Sequence, residues 1–334
     1  MVSLAEYVSD ERAARALLSI VAVDAPQAVA GLVHEVGGME AVRLLDADGP
    51  LPSMRAEAAG LLRHRVDAAA ERLDLDTTMR EVFDGRYAIM IPGDAHWPVA
   101  LDDLGPRAPL VLWASGATSL LAGQVRDRVT ITGSRASTPY GDLVADELAN
   151  GAAQEERVVV AGGSYGIEAA AHRAVLAAGG HTVAILPAGI DQRYPRGNHD
   201  LLERVGDVGL LVSEYPPGAV PSRERFTLRH RLLAAVSQAT VVVEAGPRSG
   251  AVRTAREAMG LGRGVGAVPG PVTSAASIGT NQLLRERTAE VVTGEHELMP
   301  LLDDGRPAPN RQPARRSAPA PDLSEPNRDI SRTL

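Results

Sequence analysis

Val129-Thr-Ile-Thr-Gly-Ser-Arg-Ala-Ser-Thr-Pro-Tyr-Gly141 decides how the rest of the chain is read. A short apolar run, Val129–Thr132, ends in Gly133, Ser134 and Arg135, and a helix-like segment follows from Gly141. The order strand, Gly-rich turn, helix gathers backbone N–H groups and a helix N-terminus around one small volume, which suits an anion. Arg135 adds a planar fork of donors that holds a phosphate bidentately. The stretch therefore predicts a phosphate site. It leaves open whether the phosphate belongs to a nucleotide, a cofactor or a polynucleotide.

Downstream the pattern repeats. Apolar runs rich in β-branched residues occur at 157–161, 182–186, 209–213, 240–244 and 265–268, with helix-patterned segments between most of them. Continuous apolar runs suit strands buried on both faces, and alternation with helices implies parallel crossovers. The predicted fold is α/β, a Rossmann-like doubly wound parallel sheet of about six strands with ligands at the strands' carboxyl ends. Those ends are small or charged: Gly162-Gly163-Ser164, then Asp191 with Arg196 and Asn198, then Ser213-Glu214, then Arg248-Ser249-Gly250. A single Gly-rich turn is weak evidence, because turns need glycine for backbone reasons. A series of such ends forms a rim of donors.

Upstream, residues 1–82 read as short helices forming a small SAM-like or helix-hairpin-helix-like domain. Asp10 to Val21 has apolar residues at helical spacing, Pro26 opens a second helix, and two short helices flank Gly37-Gly38. The acidic surroundings favour a structural or protein-contact role over nucleic-acid contact for this unit. Residues 83–128 form a connecting extension of the core with short strands at Tyr87–Ile91 and Leu110–Trp113, and 129–300 form the core itself. The Pro/Arg-rich tail 301–334 lacks periodicity and is expected to be disordered.

Composition narrows the chemistry. The chain of 334 residues has no cysteine, which excludes disulfides, thiolate ligands and cysteine nucleophiles and fits a cytoplasmic setting. All 34 basic residues are arginine, so Schiff-base chemistry and a Walker lysine are excluded and every cation–phosphate contact must use guanidinium. With 3% aromatics, the core must come from Val, Leu, Ile and Ala. The net charge of −8 is uneven: residues 1–85 carry 8 Arg against 15 acids, and residues 221–263 carry 8 Arg against 3 acids. That second balance is read as either a local basic surface for nucleic acid or ordinary solvated helix charge. No apolar run approaches the ~18–20 residues of a membrane span, and no basic leader precedes the apolar stretch at Ala16–Val23.

Cofactor signatures are missing. No Gly-x-Gly-x-x-Gly is followed by an acid at the dinucleotide spacing, there is no P-loop, and no histidine pattern has metal spacing, so no cofactor and no metal are expected. No Gly-x-Ser-x-Gly elbow is present. His172 reads as packed or exposed rather than catalytic. In Arg225-Phe-Thr-Leu-Arg-His-Arg231, Arg225 and Arg229 share a helix face while Arg231 points elsewhere. Phe226 suits core packing better than base stacking.

Together these motifs resemble the DNA-processing protein A family (DprA, also Smf). The resemblance rests on Gly133-Ser-Arg135 with Tyr140-Gly141, Gly162 with Gly166-Ile167, Ala171-His172, Gly189-Ile-Asp191 and Tyr194-Pro195 with Asn198. It continues through Ser213-Glu214, Phe226 with Arg229-x-Arg231, Glu244-Ala245, Ser249-Gly250, Thr254-Ala255, Pro269-Gly270 and Gly279-Thr-Asn281, and spans residues 87–293. It implies a non-enzymatic protein that binds single-stranded DNA in a basic pocket. It also implies a homodimer that recruits RecA and helps load it on DNA coated by single-strand-binding protein, in natural transformation or recombination. The resemblance assigns phosphate contacts to Arg135, Arg196, Arg229 and Arg231. Gly133, Ser134, Gly162, Gly163 and Asn198 shape the pocket, with His230, Ser249 and Gly250 completing the DNA-binding set.

The chain departs from the family pattern in places. Ala161-Gly-Gly-Ser-Tyr-Gly-Ile-Glu168 stands for the usual Ser-Gly-x-Ala-x-Gly-Ile-Asp, His230 for the Asn of Arg-Asn-Arg, and Arg196 for a Lys. These departures motivate one alternative, a diverged paralogue with altered DNA binding. Another is a nucleotide phosphoribohydrolase of the cytokinin-activating (LOG) type, whose Pro-Gly-Gly-x-Gly-Thr-x-x-Glu turn has only a degenerate counterpart at Gly246–Glu257.

Overall fold

The computed structural model describes residues 3–303. The helices are α1 Glu11–Val21, α2 Pro26–Val36, α3 Gly38–Asp46, α4 Ala56–Ala70, α5 Leu75–Val82, α6 Pro139–Gln154, α7 Ile167–Ala177, α8 His199–Val208, α9 Arg223–Ala235, α10 Gly250–Gly260, α11 Ile278–Arg285 and α12 Glu295–Asp303. The strands are β1 Ala88–Met90, β2 Leu112–Gly116, β3 Arg128–Thr132, β4 Val158–Ala161, β5 Thr182–Ile185, β6 Leu210–Ser213, β7 Ala239–Val242, β8 Gly264–Ala267 and β9 Glu290–Val291.

Local chemistry sets the N-terminal helices. The Asp10 side chain accepts from the Ala13 N–H at 2.8 Å to cap α1, and Pro26 occupies the first turn of α2. Gly37, with φ of 82°, separates α2 from α3. The amides that open α3 are already occupied: the Glu11 carboxylate accepts from Gly38 N–H at 2.9 Å and Met39 N–H at 3.1 Å. The hairpin therefore binds its own carboxylate where a phosphate would sit.

These helices pack on the sheet. Leu17, Leu18, Val29 and Val42 belong to one apolar cluster with Trp113, Leu186, Leu202 and Leu211. Arg12 clamps Asp94 at 2.7 and 2.6 Å, and the same guanidinium donates to the Ile89 carbonyl.

The sheet has nine strands in the order β1-β2-β6-β5-β4-β3-β7-β8-β9. The six expected strands are present as β3–β8, mutually parallel, and every residue of each is buried. Burial on both faces is why they read as unbroken apolar runs. The sheet is nevertheless larger than the predicted six. The connecting segment adds β2, antiparallel to β6 with Trp113 opposite Ser213, and β1 beyond it. At the other edge β9 pairs with β8 through two exposed residues, Glu290 and Val291, too few for any period to register. The chain order reverses between β3 and β7, so the loops after these strands diverge and leave a crevice.

The predicted tail lies outside the described residues from 304 onward, while Leu301–Asp303 complete α12. No described helix is long and apolar enough to cross a membrane.

Candidate functional site

A cleft of about 1310 Å³ opens at the switch point, at the carboxyl ends of β3, β4 and β7. Its floor is Thr132, Gly133, Ser134, Ser164 and Glu168; one wall is α9 and the other the loop 246–249 with α10. Of the predicted residues, Gly133, Ser134, Arg135, Arg229, His230, Ser249 and Gly250 line it.

The β3–α6 turn is locked from below. The Ser134 carbonyl accepts the Ile167 N–H at 3.1 Å, joining this turn to the one after β4. Gly166 makes that approach possible: its φ is +71°, and a Cβ there would collide with the Ser134 carbonyl oxygen. Arg135 is left exposed on the rim, its guanidinium 4.4 Å from the centroid of Phe226. Phe226 is half-buried and lines the cleft, with Arg229 on it at 5.2 Å and Tyr194 packed edge-on at 5.9 Å. It is therefore a cleft residue rather than the core residue expected.

The helix N-terminus facing the cleft is not the one expected. α6 starts at Pro139, two residues before Gly141, and its Thr138 cap hands both its N–H and its hydroxyl to the Glu244 carboxylate, at 2.9 and 2.6 Å. That terminus already holds an anion from the chain itself. The one that lines the cleft belongs to α10, where Ser249 caps Ala251 N–H at 3.3 Å and Gly246 to Gly250 form the approach.

Beneath the cleft lies a buried charge pair. Arg229, 2% exposed, donates to the Gly162 carbonyl at 2.5 Å and the Ser164 hydroxyl at 3.4 Å, and stands 3.5 Å from Glu168. Glu168 also accepts from Thr132 at 2.9 Å and Ser164 N–H at 3.0 Å. Burial opposes its charge, but Arg229 and the Ser164 and Thr132 donors outweigh burial and hold its carboxyl below the ordinary range. Burial lowers the Arg229 guanidinium from its usual value, against the pull of Glu168.

His230 shares the wall, with Nδ1 2.8 Å from the Thr254 hydroxyl. Burial, then the nearby Arg229, pushes its imidazole down to about 4, so it is neutral at pH 7. Gly250 leaves it room: a Cβ there would stand 2.6 Å from the ring.

The other predicted residues lie elsewhere. Arg231 turns away from the cleft and clamps Glu214 at 2.9 and 2.5 Å, both side chains 4% exposed, while its Nε donates to the Arg107 carbonyl at 2.7 Å. Gly162 packs flat under the Arg229 guanidinium, where any Cβ would collide. Asn198 is buried and donates to the Gly163 carbonyl at 2.9 Å, tying the β4 and β5 loops together. Arg196 is exposed on the β5–α8 connection, outside the cleft lining. His172 is wholly buried, Nδ1 2.7 Å from the Thr182 hydroxyl, and burial pushes it down to about 4.

Arg107, Arg223, Arg253 and Arg256, none of them among the site residues expected from the sequence, all line the cleft. Arg223, Phe226, Thr227 and His230 fall on one face of α9, and Gly250, Arg253, Glu257 and Gly260 on one face of α10. The helical spacing was available in the sequence; the side-by-side packing of the two helices was not. Arg107 holds Glu257 at 3.0 Å and Arg256 holds Glu286 at 3.4 Å. Among the described residues no carboxylate lies within ion-pair distance of Arg135, Arg223, Arg248 or Arg253. These four leave the cleft net positive within a chain of net charge −8.

Among the described residues, one grouping of histidine and carboxylate side chains has ligand atoms close together. His199, Asp200 and Glu203 come within 4.8 Å of one another at the start of α8, fully on the surface and outside the cleft.

Residues 88–303 match the family model described as DNA recombination-mediator protein A. The chain is 45% identical over 298 residues to a DprA-type DNA processing protein of Mycobacterium tuberculosis, covering 86% of this chain and 74% of the relative. It is 36% identical over 191 residues to the DNA processing protein DprA of Streptococcus pneumoniae, covering 57% and 66%. Among solved structures, the S. pneumoniae DprA is similar with a TM-score of 0.70 and 27% identity, over 87% of this chain and 97% of that one. The Helicobacter pylori DprA, reported for its single-stranded DNA binding mode, is similar with a TM-score of 0.59 and 28% identity, over 66% and 98%.

Proposed function

The chain belongs to the DNA recombination-mediator protein A family, and from that premise we propose that its cleft binds the backbone of single-stranded DNA and delivers the strand to the recombinase RecA. The observation that carries this reading is the rim of guanidinium groups, Arg135, Arg223, Arg248 and Arg253, that have no carboxylate partner among the described residues and surround a crevice at the switch point. Phosphates arranged along a chain suit several spaced cations better than one closed pocket does. Arg135, Arg223 and Arg253 are the proposed phosphate contacts, with the α10 N-terminus supplying N–H groups. Arg196 extends the same path outside the cleft. Arg229, Arg231, Gly162, Gly163 and Asn198 keep the path in shape.

The protein works, in this reading, by binding rather than by bond chemistry. The cleft carboxylates Glu168 and Glu257 are each paired with an arginine, and His230 rests on Thr254. Its partners are single-stranded DNA coated by single-strand-binding protein, RecA and a second copy of the chain, in a cytoplasmic setting. The test is a titration of labelled oligo-dT with wild type and Arg135→Ala, followed by a RecA-filament assay on coated DNA. Tight, salt-sensitive wild-type binding that weakens in the variant, with faster filament growth on adding wild type, is the expected result. Equal affinity of the two proteins removes Arg135 from the site, and no binding at low salt rejects the reading.

A further inference from the structure

In a chain with only 3% aromatics, surface-exposed rings are scarce and their placement is informative. Four aromatic side chains are exposed among the described residues: Phe83, Tyr140, Tyr165 and Tyr194. All three tyrosines lie on segments that leave the carboxyl ends of sheet strands. Tyr140 donates its hydroxyl to the Pro269 carbonyl at 2.9 Å and so braces the start of α6 against the segment that follows β8. Tyr165 and Tyr194 are 46% and 39% exposed, follow β4 and β5 on the side of β3 opposite to β7 and α10, and lie outside the cleft lining.

A chain of contacts joins them to the cleft. Arg135 sits on Phe226 at 4.4 Å, and Tyr194 meets the same ring edge-on at 5.9 Å. Tyr165 precedes Gly166, which packs on the Ser134 and Arg135 carbonyls, and its hydroxyl accepts the Gly197 N–H at 3.1 Å. Tyr165 therefore bridges the turn that carries Arg135 and the loop that carries Tyr194 and Arg196. An anchored hydroxyl holds the ring in place while nearly half of the residue stays open to solvent. An ordered aromatic face flanked by two exposed guanidinium groups matches a nucleotide strand, whose bases have π-faces and whose backbone is anionic.

We propose that Tyr165, with Tyr194 beside it, forms a base-stacking subsite that continues the strand path from Arg135 toward Arg196. Its ligand is an unpaired nucleobase, taken without regard to sequence, because every base offers a π-face. The inference rests on the single-stranded DNA reading of the cleft and adds to it a contact to bases.

The test compares oligo-dT with an abasic oligonucleotide of the same length, which keeps the phosphates and removes the bases. Wild type is expected to prefer oligo-dT, and Tyr165→Ala to lose about fivefold or more in affinity for oligo-dT while holding the abasic strand as before. Tyr165→Phe, which lacks the hydroxyl that Gly197 uses, is expected to keep the preference. If Tyr165→Ala binds oligo-dT as wild type does, or loses both strands equally, the subsite is rejected. If Tyr165→Phe fails as Tyr165→Ala does, the residue acts only by bracing the loop, and the stacking role is again rejected. Wild type that binds neither strand rejects the cleft reading itself, and the subsite with it.

Discussion

Glu244, at the end of β7, takes both donors of Thr138: the backbone N–H at 2.9 Å and the hydroxyl at 2.6 Å. This one carboxylate closes the N-terminus of α6 and joins the two strands between which the chain order reverses. Gly141 packs directly against it, so closely that a Cβ would collide.

Removing that carboxylate exposes the dependence. Glu244→Ala leaves two donors of Thr138 without their acceptor and is expected to cost about 2–3 kcal/mol of stability. Urea unfolding at neutral pH measures it. A midpoint within experimental error of wild type is incompatible with the bracing role.

Arg231 and Arg135 are expected to separate stability from binding. Arg231→Ala strands Glu214 as a buried, unpaired charge and is expected to destabilise the protein by about 3–5 kcal/mol. Replacing Glu214 as well should recover part of that loss. Thermal unfolding of the two single variants and the double variant checks the coupling, which additive losses would contradict.

Arg135→Ala should do the reverse. Its guanidinium lies on the exposed side of Phe226, so the stability loss is expected to stay within about 1 kcal/mol. In the DNA-binding reading, the slope of log affinity against log salt falls by about 1, the signature of one lost phosphate contact. An unchanged slope with lower affinity points to lost packing on Phe226 instead.

His172 predicts an acid-sensitive fold. Burial holds its folded-state pKa at about 4, below the ordinary 6.5. Between those values the unfolded chain binds more protons than the folded one. Stability is therefore full above pH 6.5 and falls as the pH drops toward 4, by about 3 kcal/mol in order of magnitude. His230, pushed down to about 4, adds in the same direction. Denaturant midpoints at pH 7 and pH 5 should differ less in His172→Leu than in wild type; equal differences argue against a buried neutral imidazole.

Much of the fold was legible because burial on both faces leaves a mark in the sequence. Strands such as Val158–Ala161 and Thr182–Ile185 read as strands from their apolar, β-branched composition alone. The two-residue β9 left no such mark. The strand-end turns were legible too, since Gly133, Ser249 and Gly250 do face the cleft. Arg223 and Arg253 escaped notice although each sits at helical spacing from other cleft residues. Their common wall exists only once α9 lies beside α10.

The sequence by itself determined the alternation of strand and helix, the sheet end at which the cleft opens and the absence of lysine, which leaves arginine as the side chain that is positive throughout the neutral range. Each follows from local composition or from the period of burial. Tertiary structure alone decided which arginines are available. Arg229 and Arg231 are two residues apart, but a helix turns ~100° per residue, so one faces the cleft floor and the other faces β6. Their partners, Glu168 and Glu214, come from α7 and the end of β6. The same holds for the first turn read in this chain, where a phosphate-ready helix start proved to be filled by Glu244, a residue brought there from β7 by the fold.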